Sequence, residues 1–205
     1  MRKRQTDEVT TQTIPTHRRT ITIESFDVDD GFEMTATLKD ERPWARGTPT
    51  VEVLHEMGLT VRIDRETMTI TDASALMRNY PHAECTSIEP AFRALVGLSV
   101  TRGYTRAVQD KLGRERGCSH LEFLARAIGP AAIQTMASSA SRRGASPVTD
   151  SDGRFGDWLI NTCHVWAEGG VGFEKSNLGW RPGQTSYPTP SLVDIRRRTS
   201  GDSPS

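Results

Sequence analysis

The chain predicts an α+β fold, a small antiparallel β-sheet with about three helices packed on one face, and three observations carry that prediction. Apolar residues alternate at Phe32, Met34, Ala36 and Leu38 and again at Leu59, Val61 and Ile63, the two-residue period of half-buried strands. Later the period becomes helical, with Leu121, Leu124, Ala125, Ile128 and Ala132 on one stripe. Between the first two extended runs, Asp30-Gly31 has the chemistry of a hairpin turn, with glycine supplying positive φ.

Taken in order, residues 1–16 are polar and Thr-rich and read as a disordered tail. The core domain is assigned to residues 17–140. Ile21, Ile23 and, after a shift in phase, Phe26 mark a first strand, and Phe32–Leu38 its partner. Residues 39–49 read as a loop punctuated by Pro43, Gly47 and Pro49. A long extended stretch follows through Ile63, with Gly58 expected to mark a bulge, and Met68 and Ile70 come after a polar turn at Asp64–Thr67. Ala73–Tyr80 predicts a short helix ending before Pro81. Ser87 is expected to cap a second helix that Gly97 ends, with Ile88, Ala91, Phe92 and Leu95 on one face. Residues 104–112 predict a shorter one, with Tyr104, Val108 and Leu112 a turn apart and Gly113 closing it. Ser119 and Glu122 form a capping box that starts the last major helix at about His120, and Gly129-Pro130 is expected to kink or break it. Residues 141–156 have linker composition, 157–184 are expected to pack back on the core, and 185–205 read as a second disordered tail.

The 205 residues carry 26 basic and 26 acidic side chains, so no field of one sign draws the molecule toward nucleic acid or membrane. Arg2, Lys3 and Arg4 at one end and Arg196, Arg197 and Arg198 at the other read as solvated tails rather than binding arms. With no apolar run of membrane-spanning length and no hydrophobic signal core, a soluble cytoplasmic protein is expected. Three cysteines, an odd count, argue for free thiols or metal ligands over a disulfide framework.

Each cysteine has a histidine close by: His82 with Cys85, Cys118 with His120, and Cys163 with His164, in a chain of only five histidines. Thiolate and imidazole are ligands for zinc or for iron–sulfur chemistry. His55-Glu56 adds a further imidazole and a carboxylate. Cys118 and His120 flank a helix start, where free backbone N–H groups favour an anion. The plain alternative is that cysteines are small buried hydrophobes, Cys163 above all among its Trp and Ile neighbours. A nucleophile elbow, a P-loop, a zincin helix motif and a dinucleotide fingerprint find no match in the sequence.

The order R-R-x-I-x-I at Arg18, a D-G turn, H-E-M at His55–Met57, I-x-D-A at Ile70–Ala73, P-x-x-x-C at Pro81–Cys85 and G-C-S-H-L at Gly117–Leu121 resembles a bacterial domain-of-unknown-function family with a G-C-T-H-L signature. That family usually has Asp where this chain has Glu56. A weaker resemblance is to NifU-like iron–sulfur cluster scaffolds, and it implies a site in which Cys85 and Cys118 match scaffold cysteines. His55 stands at the first cysteine position of that pattern and Glu56 lies near its aspartate. The resemblance implies a mononuclear His/Glu/Cys/Cys metal site for zinc or iron, with Cys85, Cys118, His120, His55 and Glu56 as candidate ligands. The leading expectation is therefore a metal-binding or iron–sulfur-scaffold-like protein rather than an enzyme. Two other readings stand beside it. One is a non-catalytic accessory module that binds a partner protein. The other is a thiol enzyme with Cys118 as nucleophile.

Overall fold

A computed structural model describes residues 14–48, 50–144, 160–180 and 189–199. Four strands follow one another in a meander: β1 (Arg18–Val28), β2 (Gly31–Arg42), β3 (Glu52–Asp64) and β4 (Ile70–Asn79), in spatial order β1-β2-β3-β4 with every pair antiparallel. The pleat sends Phe32, Met34, Ala36 and Leu38 of β2 to one face, where all four are wholly buried, while Glu33, Thr35, Thr37 and Lys39 stay half-exposed on the other. Met57, Leu59, Val61 and Ile63 of β3 lie opposite them and complete the buried face.

That face is covered by a run of 3₁₀ turns over Ala83–Leu95 and by two helices, α1 (Tyr104–Leu112) and α2 (Ser119–Arg142). Phe92, Leu95, Val108, Leu112, Leu121, Leu124, Ala125 and Ile128 join the strand residues in one core. The architecture is α+β, as the patterning predicts.

Several local expectations change. The hairpin turn is Asp29-Asp30, because Gly31 already pairs with Val28. Gly31 is needed for a different reason: a Cβ there would lie 2.0 Å from the Ile63 carbonyl oxygen. The first residues of the expected loop at 39–49 continue β2 through Arg42. Gly58 pairs in regular register with both neighbours, and the extra residues fall instead at Leu54, Thr71 and Arg78. Ala73–Asn79 is strand, not helix. Ala73 and Met77 pack inward against β3, and that pairing overrides the helical propensity of the alanines. The 3₁₀ run starts four residues before Ser87, so Cys85 lies within it rather than in a preceding loop.

Helix α2 begins at Ser119, one residue early, with the Glu122 N–H donating to the Cys118 carbonyl at 2.8 Å. The Glu122 carboxylate turns to Arg126, 3.3 Å away. Pro130 sits inside a continuous helix and does not break it. The preceding Gly129 admits the Tyr104 ring, which a Cβ would meet at 2.7 Å.

The chain divides into two units, residues 1–136 and 137–205. In the second, α3 (Val171–Asn177) carries Glu174, which pairs with Arg196 of α4 (Leu192–Thr199) at 2.6 Å. Helix α4 falls in the stretch expected to be disordered. Ser191 and Asp194 cap it reciprocally, the Asp194 N–H donating to the Ser191 hydroxyl and the Ser191 N–H to the Asp194 carboxylate. The expected N-terminal tail (up to residue 13), most of the expected linker (145–156) and residues 157–159, 181–188 and 200–205 lie outside the described residues. No helix among the described residues is long and apolar enough to cross a membrane.

Gly117 lets the chain pass against the end of α1 before α2 begins, since a Cβ there would lie 2.2 Å from the Leu112 carbonyl oxygen. Gly117→Ala is expected to lower stability by about 1–3 kcal/mol in urea denaturation. Gly58→Ala, whose Cβ would meet nothing closer than 3.8 Å, should change it by less than about 1 kcal/mol.

Candidate metal centre

The buried face of the sheet ends in a row of ionisable side chains. Arg19 of β1 pairs with Asp40 of β2, which pairs with His55 of β3, and each stands two residues beyond an apolar position of the same face: Ile21, Leu38 and Met57. Strand alternation therefore delivers a cation, an anion and an imidazole side by side at the rim of the core.

Asp40 is the centre of this row, with 1% of its surface exposed. Arg19 grips it with both arms of the guanidinium, Nε donating to Oδ1 and Nη2 to Oδ2, each at 2.7 Å. His17 Nε2 lies 3.2 Å from Oδ1, His55 Nδ1 3.3 Å from Oδ2, and His120 Nε2 3.5 Å from Oδ2. The Arg19 fork, outweighing the cost of burial, holds the Asp40 carboxyl down to about 2, well below the usual carboxylate range.

His120 enters from the first turn of α2, and its ring lies against that of His55 with centroids 4.0 Å apart and planes tilted by 33°. Burial, the neighbouring His55 and the Arg19 charge all lower the pKa of His120, against an opposing pull from Asp40. The neutral imidazole, the form that ligates metals, is thereby favoured. One turn along α2, Phe123 lies beneath the Arg19 guanidinium, 6.0 Å from its carbon to the ring centroid. The other nitrogen of His120, Nδ1, is 3.8 Å from Cys118 Sγ, and that sulfur is 4.0 Å from the Met57 sulfur.

Among the described residues, one set of three histidine, cysteine or carboxylate donors converges tightly enough to share an ion: Asp40, His55 and His120, with their ligand atoms all within 4.8 Å of one another. Of the residues singled out in the sequence, the fold brings His55 and His120 together and sets Cys118 beside them. Glu56 follows His55 on β3 and so turns to the opposite face, across from Lys39. Cys85 belongs to no such set and packs as a small hydrophobe against the core. Cys163 is exposed in the second unit instead of buried among aromatics, and all three thiols are free.

Asp40, Arg19 and His17 are the residues that sequence reasoning passed over. The signal was present in phase: Phe32, Met34, Ala36 and Leu38 lead, two residues on, to Asp40 at a core position, and Arg19 precedes Ile21 and Ile23 in the same way. The loop-like composition after Leu38 hid it.

These features define an α+β domain with a histidine–carboxylate cluster at the end of its sheet. Residues 17–134 match the family model described as "Protein of unknown function (DUF2889)", and the chain belongs to that family. The matched segment opens on His17 and takes in every residue of the cluster. No curated protein and no solved structure matches the chain.

The paired carboxylate ties stability to pH. Between about pH 4 and pH 2 the unfolded chain binds a proton at Asp40 that the folded protein refuses, so stability falls as pH drops through that window. His120 acts in the same direction at higher pH, because its lowered folded value makes stability fall as pH drops below 6.5. In metal-free protein the Asp40 contribution is expected to be about 1–2 kcal/mol, reduced by the partial exposure of Arg19. Urea titrations from pH 5 to pH 2 should show this loss in the wild type and its absence in Asp40→Asn.

Proposed function

We propose that this is a metal-binding domain whose ion is held by His55, His120 and Asp40. One observation carries the reading, the spacing of the donor atoms. The two imidazole nitrogens stand 3.3 and 3.5 Å from Asp40 Oδ2, at or past the long end of a hydrogen bond. Ligands on a tetrahedral ion with bonds of ~2.0–2.1 Å stand roughly 3.3 Å apart. Both spacings are those of atoms that share one cation, and all three donor atoms lie within 4.8 Å of one another.

Two imidazoles and one carboxylate form a mixed nitrogen and oxygen set, suited to zinc or to non-haem iron(II). Three protein ligands leave coordination positions for water or a small ligand, and side-chain exposures of 20% at His55 and 22% at His120 give a route to them. Arg19 would orient the carboxylate from behind, in the way outer partners fix metal ligands. Cys118 would steady the far side of His120. Cluster scaffolding is less well supported, because iron–sulfur centres are held mainly by thiolates and the triad supplies none.

A second reading has its own observation, the 3.8 Å approach of Cys118 Sγ to His120 Nδ1, which would suit a thiol nucleophile and its base. The two readings separate in one set of measurements. Protein stripped with EDTA and titrated with Co²⁺ or Zn²⁺ should bind one equivalent, with visible ligand-field absorption for cobalt. His55→Ala and His120→Ala should each weaken binding at least tenfold. Cys118→Ser should preserve it. Absence of stoichiometric binding of Zn²⁺, Co²⁺ and Fe²⁺ would overturn the metal reading. Rapid alkylation of Cys118 in such a metal-free protein, slowed by His120→Ala, would favour the thiol reading in its place.

A further inference from the structure

We propose that the arginine-lined cleft between α1 and α2 binds a small, multiply charged oxyanion of the diphosphate type. The cleft encloses about 800 Å³ and is lined by Arg106 of α1, Arg114 and Arg116 of the connecting turn, and Arg126 of α2, against only two carboxylates, Asp110 and Glu122. In a chain whose charges cancel overall, four arginines lining one cleft from three elements are a marked local departure. The volume is that of a small-molecule site.

The contacts these guanidiniums already make are long ones: Arg116 meets Glu115 at 3.8 Å and donates to the Gln109 carbonyl at 3.5 Å. Arg106 meets Asp110 only at 3.8 Å, with both side chains mostly exposed, and a pair of that kind contributes little and exchanges readily. Arg114 makes no ion pair among the described residues. The Arg126 Nε is shielded from solvent and lies 3.3 Å from Glu122 Oε1, yet has no hydrogen-bond partner among the described residues. A buried donor of this kind is costly unless an acceptor completes it. Arg114 is presented by a backbone at φ 59°, a left-handed conformation that is unfavourable for a residue with a Cβ.

The chemistry that answers these features is a compact group with several acceptor oxygens and at least two negative charges. Planar guanidinium forks match phosphate oxygens two at a time, and all four cations here are arginine. The site stands apart from the histidine cluster. On α2, His120 and Phe123 flank the buried stripe on one side, and Glu122 and Arg126 flank it on the other, as 100° per residue requires. The inference does not depend on the metal reading.

The test is calorimetric titration of the full chain, freed of metal with EDTA and at low ionic strength, with pyrophosphate and separately with ADP. One site is expected, and Arg114→Gly and Arg126→Ala should each weaken it at least tenfold. Arg114→Gly relieves the left-handed backbone, so its urea midpoint should equal or exceed that of the wild type, separating lost binding from lost folding. ADP binding more tightly than pyrophosphate would mark a diphosphate carried on a larger molecule, and equal affinities a free one. His55→Ala should leave the affinity unchanged. The proposal is overturned by absence of binding at millimolar ligand, by affinity unaltered in the Arg114→Gly/Arg126→Ala double variant, by loss in His55→Ala, or by binding of duplex RNA that pyrophosphate fails to displace.

Discussion

A single buried carboxylate constrains this domain more than any other group. Asp40 occupies a core position at the end of an otherwise apolar strand face, where an unpaired charge would be strongly destabilising. The fold answers with the two-armed Arg19 fork from one neighbouring strand and imidazoles from the other strand and from α2. Each of these partners fixes something else. Arg19 ties the edge strand β1, which buries little apolar surface of its own, to the rest of the sheet. His120 ties the start of α2 to the same rim. The carboxylate is thus at once a structural anchor and the charged centre of the site.

The same arrangement sets the electrostatics. Arg19 keeps Asp40 ionised, while burial, with the neighbouring His55 and the Arg19 charge, lowers the pKa of His120 against the pull of Asp40. One cation is already matched to the one anion, and a ring nitrogen of His55 and one of His120 approach the same carboxylate oxygen, at 3.3 and 3.5 Å.

Much of this architecture is legible in the chain alone. Alternation at Phe32–Leu38 and Leu59–Ile63, the stripe from Leu121 to Ala132, and the spacing of Tyr104, Val108 and Leu112 all correspond to elements of the fold. What composition concealed is equally specific. Alanines at 73 and 75 suggest helix until β3 is present to pair with them, and register is a property of two strands rather than one. His120 stands out beside Cys118 and His55 beside Glu56, but their partner does not, because one aspartate among many carries no mark in sequence except its phase. Glu56 drew notice through adjacency to His55, and adjacency along a strand is what separates two side chains, not what unites them. Cys85 shows the converse, a reactive residue type that lies partly buried against the core.

Helix α2 shows how few positions such a domain needs to commit. Its core stripe of Leu121, Leu124, Ala125 and Ile128 is wholly buried, which fixes the rotation of the helix about its own axis. Once that rotation is set, His120 and Phe123 must face the sheet rim that holds Asp40 and Arg19, and Glu122 and Arg126 must face α1. A shift of one residue in the helix phase would turn His120 away from Asp40 by about 100° and carry Arg126 out of the cleft together with it. The packing of four aliphatic side chains therefore governs the polar chemistry on both flanks. For the same reason Gly117, which admits the tight passage into α2, matters to the site as much as to the core: it determines where the first turn begins.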